Sequence, residues 1–153
     1  MASIIEDVIA RKILDSGGYP AVEVEVLLVS GASGIACAPS GARTDSHEAL
    51  ELCGDGDVDN SRDNEIGVPD AVININDRIA KVLKGFDARN QRVLDQALLD
   101  LGGTQSKPVI GGSVIRAISI ANARAAAKDR KMPLFAHIDE LYGQPGLYSI
   151  HCQ

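Results

Sequence analysis

The chain has 153 residues, a formal net charge of −6, a pI near 5.0 and a mean hydropathy of +0.02. This acidic balance excludes broad electrostatic binding to nucleic acid or anionic membranes, because both need clustered lysine and arginine. Its apolar runs are much shorter than the ~20 residues of a membrane helix. We therefore expect neither nucleic-acid nor membrane partners. Three widely spaced cysteines without a C-x-x-C pair indicate reduced thiols, which predicts a cytoplasmic protein.

The first part of the chain predicts a three-stranded antiparallel meander. Apolar and acidic residues alternate from Val22 to Val26, which is the period of a half-buried strand. We expect strands at 5–14 and 21–29, joined by a Gly-Gly-Tyr-Pro turn, and a third short strand in IACA after the turn SGASG.

Helical periodicity replaces this pattern further along. SHEALELC predicts one or two helical turns, and the acidic GDGDVDNSRDNE predicts a surface loop. VPDAVININDRIAKVLKG predicts a helix with Pro69 in its first turn, with Val72, Ile75 and Ile79 on one face, and with Gly85 as its stop.

Three more helices are predicted in the C-terminal half. DARNQRVLDQALLDLGG predicts one with Asp87 as N-cap and Gly102 as stop. GGSVIRAISIANARAAAKDRK predicts a long central helix whose alanines allow close approach, and PLFAHIDELYG a short final helix. Strands followed by helices indicate an α+β fold, in one domain over residues 1–142 with an irregular tail at 143–153. In the helix predicted from DARNQRVLDQALLDLGG, the apolar stripe comprises Val93, Leu94, Ala97, Leu98 and Leu101.

Short functional motifs are incomplete. LLVSGASGIA is similar to a nucleotide-binding turn, but only Gly31 and Gly34 of its three glycines are present, so a hairpin turn is favoured. DGDVDN lacks the glycine and glutamate of a calcium loop, with Asn60 and Ile66 in their places, which favours a solvated loop. No ligand pair at helical spacing is formed by the three histidines, His47, His137 and His151.

Longer segments carry a more specific signal. Their order and spacing resemble the N-terminal domain of enolase (phosphopyruvate hydratase) over about residues 5–142. The segments are ARKILDSGGYPAVEVEV, APSGARTDSHEALELCGDGD, GVPDAVININDRIAKVLKG, DQALLDLGGTQSKPVIGGSVIRAISIANARAAA and PLFAHI.

The resemblance implies a meander followed by helices, which in complete enolases caps a large C-terminal barrel. That barrel supplies the Mg²⁺-binding carboxylates and the catalytic lysine and glutamate. A barrel needs ~200 residues or more, so we expect this chain by itself to hold no catalytic residue, metal ligand or cofactor. Mg²⁺ is implied for the complete enzyme.

One loop of the family domain closes over the substrate, with the sequence Ser-Gly-Ala-Ser-Thr, and its second serine holds a second Mg²⁺. Arg43 replaces that serine here, and a guanidinium only donates hydrogen bonds and cannot coordinate a cation. We favour sequence drift, in a loop that no longer serves catalysis, as the reason for this exchange. The alternative is that Arg43 binds a phosphate or carboxylate directly. The corresponding residues are Ser40, Gly41, Ala42, Arg43 and Thr44.

The resemblance also implies an interface. Arg11 and Glu23 match positions that form salt bridges to the partner subunit in the family dimer. Ordinary surface charge on adjacent strands is the alternative. The partners implied are a second copy of the chain or an enolase-type barrel.

Three functions follow from these expectations. The first is a stand-alone, non-catalytic domain that acts by protein association. The second is the capping portion of a Mg²⁺-dependent phosphopyruvate hydratase, which converts 2-phosphoglycerate to phosphoenolpyruvate in glycolysis. The third is a small anion-binding module that uses Arg43. Enzymatic activity is therefore left open.

Overall fold

The computed structural model describes residues 2–38, 67–102 and 111–143. Three antiparallel strands come first and lie in the order β1-β2-β3, which confirms the predicted meander. They are β1 (Ile5–Leu14), β2 (Pro20–Leu28) and β3 (Ser33–Ala38).

The turn between β1 and β2 is organised by one carboxylate. Oδ1 of Asp15 accepts hydrogen bonds from the backbone N–H groups of Gly17 at 2.8 Å and Tyr19 at 2.9 Å. Gly18 has a φ of +79°, a conformation that a side chain disfavours. The predicted Gly-Gly-Tyr-Pro turn is therefore an Asx-type turn built on the aspartate that precedes it.

Helices follow the sheet and give the α+β architecture that the sequence predicted. A π-helical turn at Ile75–Ile79 connects two of them into one continuous helical rod that the sequence predicted as a single α-helix. The α-helices of the described ranges are α1 (Gly67–Asn74), α2 (Ala80–Leu83), α3 (Gln91–Gly102), α4 (Gly112–Asp129) and α5 (Leu134–Tyr142).

The π-helical turn lies beside the outer edge of the sheet. Ile75 and Ile79 are buried as predicted. The Asn76 side chain accepts from the N–H of Ala10 at 2.8 Å and donates to its C=O at 3.2 Å. One amide thus satisfies both free backbone groups of an edge residue, as a neighbouring strand would.

Two predictions about α3 are wrong. Asp87 is not its N-cap, since α3 begins at Gln91. The Asp87 carboxylate instead accepts from the backbone N–H of Ser3 at 3.2 Å and from Nη2 of Arg89 at 2.8 Å, which ties the start of the chain to residues 85–88. Val93 is 58% exposed, because the face that packs against α4 is centred on Leu94 and Leu98.

The core lies between the sheet and α4. Gly34 of β3 contacts the helix backbone directly: a Cβ there would overlap the Ala121 carbonyl oxygen and the Ala125 nitrogen. Alanines on the facing side of α4 leave room for this approach, as the alanine-rich sequence predicted. The sheet contributes Val8, Ala10, Val22, Val24, Val26, Leu28, Ala36 and Ala38 to this core.

A buried polar network joins α4 to α3. Asn122 is fully buried, and its Nδ2 donates to the Ala88 carbonyl at 2.8 Å and to Oε1 of Gln91 at 2.9 Å. Nε2 of Gln91 in turn donates to Oγ of Ser119 at 2.9 Å. These bonds fix the start of α3 against the middle of α4.

Some predicted features lie outside the described residues. They are the helical turns of SHEALELC, the acidic loop GDGDVDNSRDNE and nearly all of the tail at 143–153.

Replacing Gly34 with alanine tests the close approach of α4. We expect the free energy of unfolding to fall by about 1–3 kcal/mol, because an added methyl group must push the helix backbone away from β3. Urea denaturation measures the loss. Ile35→Ala is the matched control on the exposed face of the same strand and should cost about 0.5 kcal/mol or less. Equal stability of Gly34→Ala and wild type would contradict the close contact.

Asp87→Asn tests the carboxylate that joins Ser3 to Arg89. The hydrogen bonds from Arg89 and Ser3 lower the pKa of Asp87 from 3.8 to about 2. This stabilisation is therefore complete above pH ~4 and is lost as the pH falls toward 2. We expect the variant to be about 1–2 kcal/mol less stable at neutral pH. The difference should shrink below pH 4 in denaturation curves. Asp100→Asn, on the exposed side of α3, is the control and should change the free energy of unfolding little at neutral pH.

Candidate functional site

The predicted substrate loop lies outside the described residues. β3 ends at Ala38, two positions before the loop begins. The roles of these residues stay predictions: Ser40, Gly41, Ala42, Arg43 and Thr44.

The structure brings the two predicted interface residues together on the sheet face that α4 does not cover. Arg11 of β1 stands directly opposite Glu23 of β2. Its Nη1 lies 3.3 Å from Oε1 of Glu23, and its Nη2 lies 2.7 Å from Oε2 of Glu25. One guanidinium therefore bridges two carboxylates within a single chain, and an additional salt bridge to another subunit stays a prediction.

Glu25 is the stronger of the two partners of Arg11. Its hydrogen bond from Arg11 lowers the pKa of Glu25, and the same bond raises the pKa of Arg11. The alternation of β2 had placed Glu23 and Glu25 on one face, but the pairing of Glu25 with Arg11 is diagonal. Sequence reasoning missed it because it depends on the register of β1 against β2.

The second surface of interest is the outer face of α5. Phe135, Ile138 and Tyr142 are 48%, 41% and 82% exposed. At ~100° per residue these three positions fall within about 60° of one another around the helix axis. They form a single apolar stripe, which we call the α5 stripe.

The inner face of α5 packs against α4 through Ala136 and His137, which are buried. α5 therefore buries one face against α4 and carries an exposed apolar stripe on another face. An exposed apolar stripe opposite a buried face favours a helix that is contacted on both sides. The sequence PLFAHIDELYG contains the three apolar residues of the stripe at helical spacing, but that spacing predicts only a final helix and does not show which of its faces is exposed.

The α5 stripe favours protein contact chemically. Aromatic residues such as Phe135 and Tyr142 are enriched at the centres of interfaces, where they bury large areas with few rotatable bonds. Tyr142 also carries a hydroxyl that can bond to a partner at the rim.

Two other features are absent from the described ranges, a metal-ion cluster and a membrane-spanning helix. Within residues 2–38, 67–102 and 111–143, no group of three or more His, Cys, Asp or Glu side chains is arranged to hold a metal ion. None of the helices in those ranges combines the length and apolar content needed to cross a bilayer.

The comparison with protein families agrees with the fold and with the order of its segments. A family model described as enolase, N-terminal domain, matches residues 5–138, which is well over half of the 153-residue chain. The matched span begins with β1 and ends within α5, so it includes the whole meander and α4. This chain therefore belongs to the enolase N-terminal domain family.

Proposed function

We propose that this domain acts by protein association and docks onto another folded unit through the α5 stripe. The carrying observation is the exposed apolar stripe of α5, with Ile138 and Tyr142 directed away from α4 while His137 and Ala136 face it. Clustered exposed apolar side chains mark interaction surfaces in soluble proteins.

The energy available from the stripe supports a central contact. Fully burying one such side chain contributes about 1.5–3 kcal/mol. Because these three side chains are already partly buried, at 48%, 41% and 82% exposed, burying the remainder supplies a gross ~3–5 kcal/mol, from which the cost of association and side-chain ordering must be subtracted. The α5 stripe can anchor an interface, and polar contacts around it would complete the affinity.

A second candidate is the capping portion of a Mg²⁺-dependent phosphopyruvate hydratase. It is favoured by the loop, in which Ser40, Gly41, Ala42 and Thr44 match the family pattern. Both candidates need a docking surface. They differ in whether the partner is an enolase-type barrel and whether the assembled pair dehydrates 2-phosphoglycerate, with Arg43 as the residue that opposes turnover.

Replacing Ile138 and Tyr142 together with serine tests the α5 stripe. We expect association to weaken at least ~10-fold, because two apolar side chains would leave the interface. Sedimentation velocity measures self-association, and titration with an isolated enolase barrel domain measures docking. Val93→Ser is the matched control, since Val93 is 58% exposed on α3 and lies apart from the stripe.

The association proposal has clear contradicting outcomes. A wild-type chain that stays monomeric at high concentration and does not bind the barrel would overturn it. So would equal weakening by Val93→Ser, which would mean that general surface hydrophobicity drives the contact. Far-ultraviolet circular dichroism should show both variants folded, because these side chains point outward.

Arg43→Ser separates the two candidates. We expect no dehydration of 2-phosphoglycerate by the wild-type chain alone in Mg²⁺. With the isolated barrel added, the capping candidate predicts turnover at least ~10-fold higher for Arg43→Ser than for wild type, because serine restores a metal-binding oxygen. Absence of turnover in both mixtures, together with docking, would leave association as the function. Phosphoenolpyruvate formation is followed by its ultraviolet absorbance.

A further inference from the structure

The inner face of α5 carries an unusual polar side chain. His137 is 1% exposed, and its Nδ1 lies 3.3 Å from Nη1 of Arg130, the residue that follows α4. Nη1 of Arg130 also lies 2.6 Å from Oε2 of Glu140, one turn further along α5. Within the described part of the chain, Nε2 of His137 is buried and has no hydrogen-bond partner.

These contacts define the charge state of the ring. A guanidinium has only donors, so Nδ1 must be the acceptor and the proton of the neutral ring resides on Nε2. Protonating Nδ1 would remove the lone pair that receives the bond from Arg130. It would also create a second cation 3.3 Å from the first, inside the α4–α5 contact.

We infer that His137 makes the packing of α5 on α4 sensitive to acid, so that protonation of its ring releases α5 from the domain. The reason is geometric: a buried cation beside Arg130 is far less favourable than a hydrated one, and the ring reaches water only when α5 moves away. The rest of the domain can stay folded, because the sheet and α3 pack against α4 through other residues.

The charged groups that face His137 come from both packed elements. Arg130 from the end of α4 disfavours the protonated ring, and Glu140 from α5 itself favours it. Glu140 is already paired with Arg130, which limits the compensation. Burial is the largest effect, followed by Arg130, and together they lower the pKa of His137 below 6.5.

The sign of the pH dependence follows from this direction. Above pH ~6.5 the ring is neutral whether α5 is docked or released, so packing is unaffected. Below that value the released state binds a proton and the docked state resists it. Opening therefore becomes easier as the pH falls, until the pH reaches the pKa of the docked state. Release of α5 in acid would also weaken the binding of a partner to the α5 stripe. Only this last consequence rests on the proposed function.

Hydrogen exchange of the full 153-residue chain tests the inference without any partner. The opening constant of the α5 amides, corrected for intrinsic exchange, should rise several-fold between pH 7.5 and pH 5.0. The ordinary imidazole pKa sets a ceiling of about 30-fold. The amides of α3 in the same sample are the internal reference and should change less than ~2-fold.

Variants isolate the imidazole responsible. His47→Gln with His151→Gln leaves His137 as the single histidine and should retain the acid response. His137→Phe should abolish it. An unchanged α5 opening constant in the wild type, or the same rise in His137→Phe, would overturn the inference.

Ring titration in the variant that retains only His137 provides a readout that needs no substitution at the site. A ring pKa below 6.5 in the folded protein supports the inference, and a value of 6.5 or above overturns it. This result decides the matter if His137→Phe fails to fold. Failure here would leave association through the α5 stripe untouched, because the stripe experiments are made at neutral pH.

Discussion

The close contact between β3 and α4 at Gly34 is the constraint on which the other packing depends. With no Cβ at Gly34, the backbone of α4 lies directly against the strand at Ala121 and Ala125. This position lets α4 cover β2 and β3 while its other sides receive α3 and α5. A larger residue at Gly34 would displace the helix on which α3 and α5 pack.

The edges of the sheet are covered by side chains and by short backbone pairings. Asn76 from the π-helical turn binds both backbone groups of Ala10 on β1, and residues 85–88 pair with residues 3–5. On the opposite edge, Arg124 of α4 donates to the carbonyl of Ile35. Such covering prevents strand-to-strand association. The α5 stripe, by contrast, is an apolar side-chain surface that stays exposed.

The two faces of α5 have different properties. Its outer face offers a stripe for a partner, while on its inner side Arg130 contacts both the buried His137 and Glu140. Because the same short helix carries both, a change of charge on the inner side alters the presentation of the outer side. The two faces are linked because a single nine-residue helix carries both.

The sequence by itself determined the strands, most of the helices, the α+β order and the family, because alternation, helical periodicity and turn residues are local signals. It also placed Ile75 and Ile79 in the core. Only the tertiary structure decided that Asp87 binds Ser3 and Arg89 rather than capping α3, that Val93 faces solvent, and that His137 is buried beside Arg130. Asp87–Ser3 and the exposure of Val93 depend on elements far apart in the chain. His137 and Arg130 are only seven residues apart in the sequence, but they form a buried contact only because α5 folds back on α4. Local patterns report which face of a segment is apolar, whereas the partner of a polar group depends on how complete elements meet in space.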